Sequence, residues 1–251
     1  MNHSIQFLKQ AWTPDLIDTL GWYDPSDSST ITESGGAVSQ LDDKSGNAKH
    51  LTASVGSEPT TGTRTQNSLN VLDCSSTDHM DKTSFGVPTS GDIAFFMVGI
   101  VDVVDADADS IFSMDAASND FQFEAGNASQ FDGEIVTGLF ANINLTGGPY
   151  AGPSIYELVW DYGSSCKPYV DGTNDGSAGY SGGKLDSGCS LHIFTNRVQN
   201  NYPDGAFGEI IIVEDCSDRC RKIIEGYLAH KWGLTANLPA GHPFKQAEPY
   251  A

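Results

Sequence analysis

The chain has 251 residues, of which 39% are apolar and 10% aromatic, with 27 Gly and 11 Pro against only 18% charged residues. That is enough apolar material for one large core, and frequent turn residues with few charges favour many short strands over a helical bundle. The 33 acidic against 13 basic residues give a net charge of −20, which repels phosphate backbones and anionic headgroups and argues against nucleic acid or a membrane surface as a partner.

Residues 1–19 read as an N-terminal arm. They show no cationic start followed by an apolar stretch, so no secretory signal is expected there. Ile5, Phe7, Leu8 and Trp12 are its apolar residues, candidates either for attachment to a partner or for packing on the domain itself. A first strand is expected near Leu20 to Tyr23 and a short one at Val38 to Leu41, ended by the turn Asp43-Lys44-Ser45-Gly46-Asn47. Leu69 to Cys74 alternates apolar and polar residues. The strongest strand signal in the front half is Ile93 to Val103. Shorter signals follow at Ile111 to Met114, Phe121 to Phe123, Ile155 to Trp160, Cys166 to Val170 and Leu191 to Thr195, punctuated by Asp-Gly and Gly-Gly turns. No apolar run approaches the ~20 residues that span a bilayer.

The last third is the most informative. Phe207 to Val213 lacks alternation from Ile210 onward, which predicts a strand buried on both faces. A helix follows with an apolar stripe of Ile223, Ile224, Tyr227, Leu228 and Trp232, capped by Ser217 and ended by a left-handed Gly233. The expected architecture is all-β: a two-sheet antiparallel jelly-roll sandwich with one C-terminal helix, spanning 20–235. An extended tail, 236–251, carries Pro239, Pro243 and Pro249, and its Phe244 joins the candidate attachment residues.

Five cysteines, Cys74, Cys166, Cys189, Cys216 and Cys220, are too few and odd in number for a disulfide framework. Cys166 and Cys189 bracket an expected hairpin, so both a bridge and two free thiols stay open. Cys216 and Cys220 lack a second Cys/His pair nearby, which argues against zinc. The six His lie in no zinc-protease pattern, and no nucleophile elbow, phosphate loop or dinucleotide fingerprint occurs.

Two groups of residues could bind ligands. Asp102, Asp105, Asp107 and Asp109 crowd one turn at a spacing of two, which suits a hard cation such as Ca²⁺, although Ser110 and Ala116 break the EF-hand pattern. A solvated acidic hairpin tip explains the same residues, and no other cofactor is expected. Three Gly/Asn/Asp/Tyr-rich loops, 141–154, 172–184 and 199–206, could present Tyr150, Tyr180 and Tyr202 to sugar faces and Asp175, Asn201 and Asp204 to sugar hydroxyls. Turn chemistry alone accounts for those residues equally simply.

Four motifs give the chain a resemblance: Trp22-Tyr23-Asp24 with Ser26-Asp27 and Thr30-Ile31; Ser39-Gln40-Leu41-Asp42-Asp43-Lys44-Ser45-Gly46-Asn47; Tyr169-Val170-Asp171-Gly172; and Gly208-Glu209-Ile210 through Tyr227-Leu228-Ala229-His230-Lys231-Trp232-Gly233-Leu234, continued by Leu238-Pro239 and Gly241-His242-Pro243. In this order they resemble concanavalin A-like lectin/glucanase domains of the LamG-like jelly-roll type found in phage and bacterial proteins, with Leu41 where Trp is usual. The resemblance covers most of the chain and implies the fold, not a reaction. Glucanases of that superfamily use an E-x-D-x-x-E strand, and retaining chemistry needs two carboxylates about 5 Å apart. Here Glu209 and Glu214 have the spacing, but Ile211 replaces the central Asp, and both Glu are read as strand-edge carboxylates.

The resemblance therefore points to a non-enzymatic virion structural protein. It would be a capsid decoration or head-fibre module of a bacteriophage, assembled in the host cytoplasm and contacting capsid or tail proteins, with homo-oligomerisation open. A carbohydrate-binding adhesin that recognises a cell-surface glycan is the alternative, and a glycoside hydrolase ranks third.

Overall fold

The computed structural model describes residues 10–87, 92–103, 109–116, 119–127, 130–135, 140–144, 152–161, 164–174, 178–179 and 188–251. The strands in its front half are β1 (Thr19–Tyr23), β2 (Ile31–Ser34), β3 (Ala37–Leu41), β4 (Leu51–Thr52), β5 (Thr65–Gln66), β6 (Leu69–Asn70), β7 (Leu72–Cys74), β8 (Met80–Lys82), β9 (Ile93–Val103), β10 (Asp109–Ala116) and β11 (Asn119–Asn127). The rest are β12 (Gln130–Ile135), β13 (Phe140–Asn144), β14 (Ser154–Asp161), β15 (Ser165–Val170), β16 (Ala178–Gly179), β17 (Ser190–Ile193) and β18 (Asp204–Glu214), followed by the helix α1 (Asp218–Trp232).

The strands form two large antiparallel sheets. One runs β1-β18-β9-β14-β15-β16, with β7 beside β18 as well; the other runs β13-β12-β11-β10-β17-β8-β4-β3-β2, and β5-β6 is a separate hairpin. The architecture is the expected all-β sandwich with one C-terminal helix. Among the described residues no helix is long and apolar enough to cross a membrane.

The first sheet is the middle layer of three, which explains its unbroken apolar runs. On β9, Phe95 and Met97 face the second sheet, where the Phe95 ring stacks on Phe112 at 3.5 Å between centroids. Ala94, Phe96 and Val98 face the other way, onto the helix layer. β18 does the same: Phe207, Ile210 and Ile212 enter the inter-sheet core, while Ala206, Ile211 and Val213 meet Ile224, Leu228 and Trp232 of α1. Both faces are buried, so an alternating pattern would leave polar atoms without water. Each large apolar side chain buried this way contributes about 1.5–3 kcal/mol.

A shift in the β9–β18 register between Phe207 and Ile210 has a consequence for the site. Phe207 and Ile210 both face inward, so the bulge puts Glu209 on the same face as Ile211 and Val213. That face looks at α1. The helix starts as expected: the Ser217 side chain accepts from the Cys220 N–H, and Gly233 ends it at φ 74°. Its buried stripe is wider than the apolar residues alone, because Arg221 and Glu225 are buried with Ile224, Leu228 and Trp232.

The arm and tail are tied together from residue 10 onward. Ala11 bridges Tyr250, and the Trp12 N–H donates to the Pro249 carbonyl at 3.0 Å. Trp12 is 7% exposed and sets its ring edge-on to Tyr227, 5.5 Å away. Phe244 lies over Gly226, so close that a β-carbon there would be 2.5 Å from that of Phe244. Both expected attachment residues thus pack on the domain itself, since burying these rings beside α1 removes apolar surface from water. Ile5, Phe7 and Leu8 lie outside the described residues.

Candidate functional site

The motif residues converge on two buried polar knots, one on each side of the helix. At the centre of the first is Glu209, fully buried. One carboxylate oxygen accepts from Trp22 Nε1 at 2.6 Å and the Tyr227 hydroxyl at 2.9 Å. The other accepts from Lys231 Nζ at 2.7 Å and Trp232 Nε1 at 3.1 Å. Burial pushes this carboxyl above its ordinary value, and the Lys231 ammonium and the Trp22 N–H oppose that shift. Lys231 also pairs with Asp24 at 2.7 Å. Burial alone would raise Asp24; Lys231, Ser26 and Lys44 outweigh it and hold the carboxyl below its usual range.

The knot extends into the 43–47 turn. Asp43 accepts from the Trp22 and Ser45 backbone N–H groups with one oxygen, and from the Ser45 hydroxyl and the Lys49 N–H with the other. Lys44 pairs with Asp27 at 2.8 Å and sits 4.7 Å above the Trp22 ring. Asn47 donates to the Thr19 carbonyl at 2.8 Å. Strand β1, at the edge of its sheet, is thus pinned by the turn on one side and by α1 through Glu209 on the other.

The second knot joins β14, α1 and the tail. Glu225 accepts from Arg221 and from His242 Nε2, the latter at 2.7 Å. The Arg221 guanidinium lies 4.1 Å from the Tyr169 ring centroid. Arg221 Nη1 is also 3.7 Å from Glu157, whose buried carboxyl oxygens have no hydrogen-bond partner among the described residues. Burial pushes Glu157 up to about 8 against the opposing charge of Arg221, so it is mostly protonated at neutral pH. Asp171, at φ 51° in the turn with Gly172, accepts from the Ile155 N–H at 2.9 Å and from Asn237 of the tail at 3.3 Å.

A groove of about 620 Å³ opens beside the first knot. Its walls are β1 with the segment before it, the 43–47 turn, and the bend between β18 and α1. Trp22, Lys44, Ser45 and Asn47 line one side, and Asp15, Asp18, Glu214 and Asp215 supply carboxylates. Asp15, Asp18 and Asp215 are exposed and Glu214 half-buried. Asp15 accepts from the Thr13 hydroxyl, and Asp215 from the Asp92 N–H at 3.3 Å. Among the described residues Asp18 and Glu214 form neither a side-chain hydrogen bond nor an ion pair, and both line the open groove. The Lys44-Ser45-Gly46-Asn47 motif, Trp22 and Glu214 marked this place in the sequence; Asp18 and Asp15 carried no signal.

The residues singled out by loop composition lie elsewhere. Tyr150, Asp175 and Tyr180 are outside the described residues. Tyr202 donates its hydroxyl to the Gln199 carbonyl and lays its ring 5.5 Å from His79. Asp204 accepts from the Ser76 N–H at 2.7 Å, and Asn201 lies on the same loop, directly before Tyr202. This loop precedes β18 while the groove lies at its far end, about 33 Å along an 11-residue strand. Of the four aspartates expected to bind Ca²⁺, Asp102 is held by both guanidinium nitrogens of Arg64, one at 2.9 Å. Asp105, Asp107 and the side chain of Asp109 lie outside what is described. No group of three or more metal-ligating side chains occurs among the described residues. Glu209 differs from the strand-edge expectation because the bulge and the helix enclose it; Glu214, at the end of β18, does line the groove.

No family model matches the chain, and no curated protein matches it. Solved structures do. Domain 4 of AbnA, a GH43 extracellular arabinanase from Geobacillus stearothermophilus solved with arabinotriose, aligns at TM-score 0.55 and 10% identity over 79% of this chain and 93% of its own. The binding domain of Paraclostridial Mosquitocidal Protein 1 aligns at 0.56 and 11% over 81% of this chain and 50% of its own. A GH54 α-L-arabinofuranosidase aligns at 0.53 and 12% over 91% of this chain and 60% of its own. At such identities the likeness establishes a shared β-sandwich fold and nothing finer.

Proposed function

We propose that this chain is a non-catalytic, lectin-like module that holds a neutral saccharide in the groove beside β1. The observation that carries the reading is the groove itself. It is an open polar channel, where Asp18 and Glu214, without a partner among the described residues, can accept sugar hydroxyls, and where Lys44 covers the ring of the buried Trp22 in the wall and adds a donor. Recognition sites for small ligands rest on a concave shape with a few directed polar groups, and the groove has both. The carboxylates and the net charge of −20 disfavour sialylated or uronic sugars. The arabinanase domain that shares the fold was solved with a neutral sugar, arabinotriose, which makes that trisaccharide the first probe.

Hydrolysis finds less support. A glycosidase acid needs a carboxyl whose pKa is raised and which can still reach the glycosidic oxygen. Glu209 is fully enclosed and saturated by its donors, while Asp15, Asp18 and Asp215 stand exposed. Titration calorimetry with arabinotriose, other neutral oligosaccharides and a sialylated control tests the reading. Saturable binding of a neutral sugar, weakened tenfold or more by Asp18→Ala or Glu214→Gln, is expected. No binding across the panel, or binding indifferent to both substitutions, would refute it. Appearance of shortened sugars during incubation would refute the non-catalytic half.

A second reading concerns where the module sits. Ala11 bridges Tyr250 next to an apolar pocket of about 290 Å³ walled by Trp12, Tyr227 and Pro249. In this reading the apolar pocket is the face that meets a capsid or tail protein, the partner that the phage-type resemblance implies. Quantitative mass spectrometry of purified particles decides it. Many copies per particle fit a decoration protein, a few fit a tail tip, and absence ends the virion reading.

A further inference from the structure

We infer that Cys216 and Cys220 form a redox-active dithiol that closes to a disulfide by exchange with low-molecular-weight disulfides. The two sulfurs are 2.9 Å apart, and both residues are only half-buried. The bond itself needs about 2.05 Å, so closure asks for roughly 0.9 Å of movement. Cys216 precedes the Ser217 cap and lies outside the helix, in the bend where β18 turns into α1, while Cys220 sits in the first turn. Cys220, the thiol that meets the reagent first, is itself half-buried rather than enclosed, and Cys216 behind it lines a small open nook of about 80 Å³ with Lys167, Tyr169 and Arg221. The remaining cysteines, Cys74, Cys166 and Cys189, are buried in the inter-sheet core.

The pair is also polarised for the chemistry. The Cys216 S–H donates to the Cys220 sulfur, and that hydrogen bond holds the Cys220 thiol below its ordinary value and Cys216 above it. The N-terminal end of α1 adds a favourable field for a thiolate on its first turn. The exchange runs in two steps. The Cys220 thiolate attacks one sulfur of R–S–S–R, forming a mixed disulfide and expelling RS⁻. Cys216 then gives up its proton to RS⁻ or solvent and attacks the Cys220 sulfur, expelling the second RS⁻. The two cysteines lose two electrons and two protons in all, and the small disulfide becomes two thiols. The product staples the end of β18 to the first turn of the helix that covers it.

The test uses the folded full-length chain and 2-hydroxyethyl disulfide, followed by intact mass and peptide mapping. The expected product has lost two hydrogens, with the bridge mapped to 216–220 and the three core cysteines untouched. Cys216→Ser should stop at a stable mixed disulfide on Cys220. Cys220→Ser should lose thiol at least about tenfold more slowly, because the better nucleophile is gone. Circular dichroism confirms that both variants keep the fold. A wild-type protein that stays fully reduced, accumulates the mixed disulfide without closing, or bridges other cysteines would overturn the inference.

Discussion

Replacing Glu209 by Gln removes one formal charge and changes one acceptor oxygen into a donor, with almost no change in shape. The carboxylate faces donors on both sides: Trp22 Nε1 and the Tyr227 hydroxyl on one oxygen, Lys231 Nζ and Trp232 Nε1 on the other. An amide fits neither way. If its NH₂ takes the first position, Tyr227 can turn and accept, but the Trp22 N–H is orphaned. If it takes the second, Lys231 and Trp232 both lose their acceptor. At least one buried indole N–H goes unpaired, at about 1–3 kcal/mol. Lys231 keeps Asp24 and is 21% exposed, so the weakened ion pair adds only about 1 kcal/mol. The sum is about 3 kcal/mol, or a drop in Tm of about 6–12 °C for a chain of this size. Urea unfolding followed by circular dichroism and Trp fluorescence measures it, with Glu214→Gln at the open end of the same strand as the control, expected within about 0.5 kcal/mol of wild type. A Glu209→Gln loss below about 1 kcal/mol at unchanged m-value would refute the view that this motif carboxylate is structural.

Glu157→Gln should flatten the pH dependence of stability. Wild-type Glu157 has an ordinary value of 4.5 unfolded and about 8 folded, so the folded state holds the extra proton. Stability is therefore lost as pH rises from about 4.5 to 8, by up to about 5 kcal/mol, and thermal melts across that range should show a shallower slope in Glu157→Gln than in wild type, with Asp171, raised by burial to about 6, supplying part of what remains. His192 acts in a later window. Burial would lower it, but Asp115 and Asp81 outweigh that and raise it to about 9 from 6.5, so its stabilisation is intact below 6.5 and lost by about 9. His192→Gln should remove that upper slope in the same melts. Gly226→Ala drives a β-carbon into Phe244, which should cost about 1–3 kcal/mol and make the tail after Leu234 quicker to cleave in limited proteolysis. Ser217→Ala should cost about 1 kcal/mol in urea unfolding through the lost cap on the Cys220 N–H.

The parts legible in sequence are those with a physical signature along the chain. Ile93 to Val103 and Phe207 to Val213 read as buried strands because they are flanked by the second sheet on one face and the helix on the other. Ser217 and Gly233 read as helix ends because their chemistry is local. Strands β4 and β5 were illegible because two residues have no period, and the alternating run Leu69 to Cys74 is in fact divided between β6 and β7, which pair with different partners. Arg221 and Glu225 look like surface charges on a helical wheel. Their burial depends on Glu157 and His242, supplied from a distant strand and from the tail. Loop composition pointed to Tyr202 and Asp204, and composition alone cannot separate a ligand contact from a hydrogen bond to the chain's own backbone. The groove escaped for a related reason: Asp18 and Glu214 meet only because β1 and β18 are neighbours in the sheet.

The residues behind the family resemblance and the residues free to meet a ligand are largely different sets. Trp22, Asp24, Asp43, Glu209, Lys231 and Trp232 use their polar groups on one another or on nearby backbone, and so fasten β1 and α1 to β18. Asp18 and Glu214 fasten nothing among the described residues, yet they occupy the groove that this fastening creates. Side chains that satisfy one another at a buried site cannot change without stranding a partner, whereas uncommitted groups at an open rim can change at little cost in stability. The motif therefore reports the scaffold, and the rim would set what the scaffold holds. On this reasoning the two properties separate experimentally: substitutions at Glu209 move the melting curve whether or not a sugar is present, and substitutions at Asp18 or Glu214 move only the binding isotherm.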